Sequence, residues 1–269
     1  MSFFDRRRPR VYAHRGGRAL GPENTIAAFE IGLKAGADGL ELDVHLAADG
    51  TPVVIHDDTL DRTTSATGQV NALTADELAR VDAGCRFVDG SGGRPFAGLG
   101  IGVPTLLAAL RRFDNVPVIV ELKVNTEECG RRVAEVVRTA GAVDRVCLAG
   151  SGWQSARGAR TALPGAAASA CRPEVRMAMH RSWVRWPVRR VGYGAYQVPE
   201  WSGVWHVAAR RFIRHAHAAG LVVEVWTVDE PADMERLLDW GADGLISNRP
   251  DLAVAVRNRV SAGVIPRPG

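Results

Sequence analysis

Lysine is almost missing from this chain: of its 34 lysine and arginine residues only Lys34 and Lys123 are lysines. Arginine therefore carries the positive charge, and the net charge of +4 is mild for 269 residues. Nothing gathers that charge into a basic helix, and no ladder of stacking aromatics accompanies it, which argues against a nucleic-acid partner. Cysteine is scarce and scattered. Cys85, Cys129, Cys147 and Cys171 form no Cys-x-x-Cys pair, so neither a zinc site nor a disulfide framework is suggested and four buried thiols are expected. No apolar run reaches the ~18 residues that read as a membrane span. The arginines between Met1 and Arg10 have no apolar segment behind them, which argues against a secretory signal and points to a cytoplasmic location. What is present, with 46% hydrophobic residues, is a soluble globular chain long enough to bury a full core.

Short apolar runs alternate with stretches of helical period. The expected strands are Val11 to His14, Gly39 to Val44, Pro117 to Leu122, Val146 to Ala149, Ala166 to Ala170, Tyr193 to Val198, Leu221 to Trp226 and Gly244 to Ser247. Eight strands with helices between them predict an α/β fold, a (β/α)8 TIM barrel, as a single domain over residues 1–269. A further run, Pro52 to His56, follows Val44 too closely for a parallel crossover and is expected to fold back as a hairpin over Ala48-Asp49-Gly50. The joint Ala35-Gly36-Ala37-Asp38-Gly39-Leu40 recurs as Gly241-Ala242-Asp243-Gly244-Leu245, in both places a helix stopping at glycine before a strand. Residues 57–104 break the repeat. They are rich in Gly, Ser and Thr, hold one helical candidate at Thr74 to Val81, and precede a helix at about Thr105 to Phe113. This segment is expected to be an insertion above the barrel mouth, where loops shape a substrate pocket.

The charged residues within the strands carry the chemistry. His14-Arg15-Gly16 sets an imidazole beside a fixed cation at the end of the first strand. In a strand, residues two apart share a face. Glu41 and Asp43 therefore point together, as do Glu121 and Lys123. Buried charge of this kind needs compensation, and a bound cation would compensate three carboxylates.

Several motifs in their order and spacing then resemble the glycerophosphodiester phosphodiesterase family. They are His14-Arg15-Gly16, Pro22-Glu23-Asn24-Thr25, Glu41-x-Asp43-Val44, Asp49-Gly50-x-Pro52-Val53-Val54-x-His56-Asp57, Arg62-Thr63-Thr64, Glu121-x-Lys123 and Trp226-Thr227-Val228. The resemblance spans Val11 to about Asp251. It implies a (β/α)8 barrel and a metal-dependent hydrolase that cleaves glycerophosphodiesters to glycerol 3-phosphate and an alcohol. It further implies that Glu41, Asp43 and Glu121 hold one divalent cation, Mg²⁺ or Ca²⁺, which all-oxygen ligation suits. His14 and His56 would be the acid/base pair. Arg15 and Lys123 would hold the phosphate oxygens, and Trp226 would wall the alcohol moiety. The small-molecule substrate would be a phosphodiester. Alternatives within reach are lysophospholipase D-type hydrolysis of lysophospholipids, a weaker phospholipase C reading, and a non-catalytic lipid-binding barrel.

Two departures narrow the resemblance. Ser247-Asn248-Arg249-Pro250 stands where the family usually has Thr-Asp-x-Pro, and Ser151-Gly152-Trp153 where Ser-Phe is common. The first lies outside the metal trio and is expected to alter a loop or supporting contact. The second reshapes one side of the pocket. Pro22-Glu23-Asn24-Thr25 also reads as a helix entry, since Asn and Thr cap N-termini. Residues 172–205 mix Trp183, Trp186, Tyr193, Tyr196, Trp201 and Trp205 with Arg172, Arg176, Arg181, Arg185, Arg189 and Arg190. Such a mixture suits peripheral membrane contact, against the alternative of a barrel helix with inward aromatics and solvated arginines.

Overall fold

The structure, a computed structural model, describes residues 3–5, 9–188 and 191–262. Its elements run β1 (Arg10–His14), α1 (Ile26–Lys34), β2 (Gly39–Leu46), β3 (Pro52–Val54), α2 (Ala75–Leu78), α3 (Leu106–Arg112), β4 (Val118–Leu122), α4 (Glu127–Thr139), β5 (Val146–Gly150) and α5 (Trp153–Ala162). They continue β6 (Ala167–Ala168), α6 (Arg172–Trp183), β7 (Ala195–Pro199), β8 (Trp201–Ser202), β9 (Trp205–His206), α7 (Arg210–His217), β10 (Val222–Trp226), α8 (Pro231–Asp239), β11 (Gly244–Ser247) and α9 (Pro250–Ser261). Eight of these strands lie in the order β6-β5-β4-β2-β1-β11-β10-β7, with parallel pairing throughout. A bridge between Ser169 and Ala195 brings β6 against β7. The expected (β/α)8 barrel is present and nearly closed.

The seam at β6 and β7 is where the strand boundaries differ most from the sequence reading. Of Ala166 to Ala170 only Ala167–Ala168 pair as a strand, and β7 starts at Ala195 rather than Tyr193. Closure there rests on few bonds, the Ala170 N–H to the Ala195 carbonyl and the Gly194 N–H to the Ala168 carbonyl, each 2.9 Å. β3 folds back antiparallel on β2, pairing Val54 with Val44 and Pro52 with Leu46. Gly50 takes the left-handed φ of 76° that this turn requires. That pairing carries β2 on to Leu46.

Strand alternation sorts the core into layers. Outward residues such as Leu40, Leu42, Val120 and Leu122 pack under α3 and α4, and Val223, Val225 and Leu245 pack under α7, α8 and α9. The helices begin where hydroxyls are available: Thr25, Thr105 and Thr126 accept from backbone N–H groups at the starts of α1, α3 and α4. Inward residues at the barrel base include Tyr12, Ile119, Cys147 and Ile246, closed by Phe3. Gly39 faces Tyr12, and a Cβ there would stand 2.8 Å from its ring and 2.6 Å from the Pro117 carbonyl oxygen.

Residues 57–104 carry α2, capped by a reciprocal Thr74–Glu77 box, and a small core of Leu60, Val70, Leu78 and Val103 against Val53 and Ile55. Cys129, Cys147 and Cys171 are buried thiols, but Cys85, in this segment, is only partly buried. Its Sγ donates to the Asp82 carbonyl at 3.2 Å. The aromatic residues of 172–205 do not share one face, because Tyr196 is fully buried and Tyr193 hydrogen-bonds it, oxygen to oxygen, at 3.1 Å. Arg189 and Arg190 lie outside the described residues. No helix among the described residues is long and apolar enough to cross a membrane.

The base holds one buried ion pair. Arg10 donates to Glu224 at 2.9 Å and to the Phe3 carbonyl at 2.9 Å, while Gln197 donates to the other Glu224 oxygen at 2.8 Å. Burial pushes the Glu224 carboxyl up, against the pull of Arg10. Arg10→Leu should therefore cost about 3–5 kcal/mol in urea unfolding, because it strands a buried acid. Arg10→Leu/Glu224→Leu should recover most of the loss; a double variant no more stable than the single one would refute the role of uncompensated charge.

Candidate active site

Parallel register decides which side chains meet at the C-terminal end of the barrel. His14 on β1 pairs with Glu41 on β2, and Asp43 pairs with Glu121 on β4. Oxygens of Glu41, Asp43 and Glu121 lie within 4.8 Å of one another. Asp43 is 1% exposed, whereas Glu121 is 30% exposed and faces the opening. Beyond β1 the chain turns sharply, with Arg15 at φ 52° and Gly16 at φ 85°. For a non-glycine residue the first value is strained. The turn brings the Arg15 N–H onto Glu41 at 3.0 Å and its guanidinium Nε to 3.2 Å from Asp43.

The site holds more negative than positive charge. Lys123 Nζ stands 3.3 Å from Asp43 and 3.7 Å from Glu121, and Asn24 donates to Asp43 at 2.9 Å. Burial and the neighbouring Asp43 and Glu121 carboxylates push Glu41 up. Burial and Asp43 likewise push Glu121 up. Asp43 is buried too, but Lys123 and Arg15 outweigh that and hold it down. Its buried Oδ1 meets Lys123 Nζ as an ion pair but makes no hydrogen bond.

These residues fit a hard divalent cation. Two oxygens on one Ca²⁺ can stand at most about 5 Å apart, so the spacing admits a shared ion, and Asp43 Oδ1, which has an ion pair but no hydrogen bond, has lone pairs free to join it. The carboxylates alone supply only part of a coordination shell, which leaves positions for water or substrate.

The two imidazoles are held differently. His14 Nδ1 lies 2.6 Å from Asn248 Oδ1. The Asn248 amide nitrogen is committed to Asp229 at 2.6 Å, and the other Asp229 oxygen accepts the Asn248 backbone N–H at 2.8 Å. An oxygen is thus turned to His14, so Nδ1 must donate and Nε2, 3.9 Å from Glu41, carries the lone pair. Burial and the Arg15 charge lower His14 to about 4. His56 Nδ1 instead meets a carboxylate, Asp57, at 2.6 Å. Arg62 holds Asp57 at 2.6 Å and Glu23 at 2.8 Å, and Glu23 accepts from Arg15 at 2.8 Å. His45, next on the inner face of β2, lies 3.0 Å from the His56 carbonyl.

Of the residues singled out in the sequence, His14, Arg15, Glu41, Asp43, Glu121 and Lys123 form one contact cluster, and His56 joins it through Asp57, Arg62 and Glu23. Trp226 is on the same rim, at the end of β10 and 37% exposed. Pro22-Glu23-Asn24-Thr25 does more than start α1, since Glu23 and Asn24 both reach the cluster. Asn248, outside the trio, contacts His14 through its side-chain oxygen. His45 was within reach of the two-residue spacing had β2 been extended. Asp229 gave no signal, because its partner is 19 residues away.

A parallel barrel with acids, cations and imidazoles gathered at the C-terminal mouth is the architecture of a (β/α)8-barrel enzyme acting on an anionic substrate. Comparison with known proteins makes this specific. Residues 14–252 match the model of the glycerophosphoryl diester phosphodiesterase family. A glycerophosphodiester phosphodiesterase of Caldanaerobacter subterraneus is 30% identical, covering 91% of this chain and 96% of that protein. The crystal structure of a glycerophosphodiester phosphodiesterase from Agrobacterium tumefaciens superposes with a TM-score of 0.74 at 30% identity, covering 91% of this chain and 99% of that one. An Oleispira antarctica phosphodiesterase, solved with the product sn-glycerol-3-phosphate, shares the fold at a TM-score of 0.77 and 23% identity, covering 93% and 97%. The chain belongs to the glycerophosphoryl diester phosphodiesterase family.

The Glu23 links carry a pH signature. Burial disfavours its charge, but hydrogen bonds and charges from Arg62 and Arg15 prevail and hold it at about 2. A carboxyl lowered on folding stabilises above its ordinary pKa of 4.5, and that stability is lost as pH falls through 2. The stability gap between wild type and Glu23→Gln should thus be about 3 kcal/mol near neutrality and shrink between pH 4.5 and 2. A gap that does not change with pH in denaturant titrations would contradict it.

Proposed function

We propose that this protein hydrolyses glycerophosphodiesters, such as glycerophosphocholine or glycerophosphoethanolamine, to sn-glycerol 3-phosphate and an alcohol, with one divalent cation, Mg²⁺ or Ca²⁺, held by Glu41, Asp43 and Glu121. The observation that carries this reading is the trio of carboxylate oxygens within 4.8 Å of one another, flanked by Arg15 and Lys123 and two imidazoles. The product bound to the Oleispira antarctica phosphodiesterase, on the same fold, supports the substrate class.

When bound, the cation would withdraw charge from the phosphoryl oxygens. The chain's own groups divide the remaining work. Arg15 and Lys123 bind the non-bridging oxygens and offset the charge that builds during substitution. His14, with Nδ1–H fixed on Asn248, presents the unprotonated Nε2 and takes a proton from the attacking oxygen. His56, its Nδ1 fixed on the Asp57 carboxylate, gives a proton to the departing alkoxide. One P–O bond forms to the attacking oxygen and one breaks to the alcohol; His14 gains the proton the first gives up, His56 loses the one the second takes, and exchange with solvent resets both rings. Water is the simplest attacking group; the glycerol hydroxyl, closing a cyclic phosphate, needs the same base. Trp226 walls the alcohol side.

A second reading is lysophospholipase D-type hydrolysis, the same diester with an acyl chain attached, favoured by the exposed apolar rim beside Trp226. A non-catalytic lipid-binding barrel is disfavoured because it has no need of the two oriented histidines beside the carboxylate trio.

The test is release of sn-glycerol 3-phosphate from glycerophosphocholine with Mg²⁺, Ca²⁺ or EDTA. EDTA should abolish it, and His14→Ala, His56→Ala and Glu41→Ala should each lower kcat by about 100-fold or more. Asn248→Ala, which frees the His14 ring to take either tautomer, should lower kcat by about tenfold with KM unchanged. Choline release from lysophosphatidylcholine in place of glycerol 3-phosphate release would move the assignment to the second reading.

A further inference from the structure

We propose that the rim on the β7 side of the barrel mouth docks on the surface of an anionic phospholipid bilayer. Vesicle binding needs nothing from the catalytic reading; only its use, presenting the site to diesters lying in that surface, rests on the phosphodiester reading above.

Among the described residues, seven of the eleven exposed large apolar side chains fall between residues 177 and 205. Soluble surfaces scatter such residues singly, and a gathered patch marks a docking site. Its centre is the β8–β9 hairpin, with Trp201 56%, Val204 87% and Trp205 52% exposed. Gly203, at φ 58°, turns the tip. Trp201 stacks on His206 with centroids 4.2 Å apart, and the Trp205 ring lies 5.1 Å from that of Trp183 at the end of α6. Register puts Trp201 and Trp205 on opposite faces of the hairpin, each braced by its own ring partner and each more than half exposed. The hairpin leaves the C-terminal end of β7, where Pro199 pairs with Trp226, so the patch begins at the mouth itself.

Charge identifies the occupant. Some surface arginines elsewhere pair with acids, as in Arg112 with Glu30, Arg157 with Glu127 and Arg259 with Glu235. Arg181, Arg185, Arg210 and Arg211 around the patch have no carboxylate partner among the described residues. Arg211 lies over the Trp183 ring, 5.7 Å from its centroid. Tryptophan rings at headgroup depth beside arginines that pair with phosphates match an anionic bilayer. A second copy of this chain across a two-fold axis would set these cations against each other. The surface is not the whole of 172–205, since its tyrosines turn inward; it is the hairpin and the end of α6.

The experiment is flotation of the full chain with vesicles of phosphatidylglycerol and phosphatidylcholine, or of phosphatidylcholine alone, at low and high salt, with glycerophosphocholine hydrolysis measured in parallel. Wild type should float with the anionic vesicles at low salt and be released by high salt. Val204→Asp, at a position too exposed to affect folding, and Arg210→Glu/Arg211→Glu should each cut the bound fraction at least tenfold and leave hydrolysis of the soluble diester unchanged. No flotation of wild type with anionic vesicles, or variants that float as well as wild type, would overturn the proposal. A dimer in light scattering that Val204→Asp disperses, without vesicle binding, would reassign the patch to self-association. Vesicle binding without hydrolysis would refute the catalytic reading and leave the docking surface standing.

Discussion

The repulsion among three carboxylates on adjacent strands is the constraint around which the mouth of this barrel is organised. Glu41, Asp43 and Glu121 are forced together by parallel register and two-residue alternation, and in a low-dielectric interior they cannot all stay ionised without opposing charge. The arrangement around them answers that constraint. Arg15 bends through a strained φ to present both its N–H and its guanidinium to the acids, Lys123 reaches them from just past the end of β4, and Asn24 donates to Asp43 from the entry to α1. Even so, Glu41 and Glu121 remain raised, and one Asp43 oxygen has the Lys123 ion pair but no hydrogen bond. A fold that needed only stability would have neutralised this cluster or replaced it with apolar residues.

The base of the same barrel makes the contrast. There a single acid, Glu224, meets a single guanidinium, Arg10, with Gln197 on its second oxygen and Phe3 closing the end. Charge is matched one to one, and Arg10 stands 5.0 Å and 5.3 Å from the Phe3 and Tyr12 ring centroids. Both clusters are buried and both lie inside one ring of strands. What separates them is balance: the base sets one acid against one guanidinium, and the mouth gathers three acids around Arg15 and Lys123. Asymmetry of this kind is how a barrel keeps its stable end apart from its reactive end.

Local periodicity made most of this legible in the sequence. The hairpin after β2, the eight parallel strands and the pairing of Glu41 with Asp43 follow from spacing alone, because side-chain direction in a strand is fixed by counting. His45 obeys the same count and was lost only through a strand ended two residues early. Other features depend on contacts that no local pattern encodes. The β6–β7 seam is short because closure leaves few bonds there, and Asp229 reaches Asn248 across a turn of chain without a motif. The split of the aromatic stretch, tyrosines inward and tryptophans outward, is likewise tertiary: Tyr196 packs against Phe212, centroids 5.1 Å apart, on a helix that comes later in the chain.

The inserted segment is tied to the candidate site by direct contacts as well as by its position. Arg62 lies within it, 39 residues from Glu23, and its guanidinium joins Glu23 to Asp57. Because Asp57 fixes His56 Nδ1 and Glu23 fixes Arg15, one cation couples the imidazole after the hairpin to the guanidinium after β1. Each link is a charge-assisted bond with its own directional demand, so a shift of the insertion would turn His56 and Arg15 together. An arginine suits this post better than a lysine would, since its planar fork can serve two carboxylates at once. In a chain nearly devoid of lysine, the one lysine retained at the mouth, Lys123, is the cation that acts as a point charge between two acids rather than as a fork.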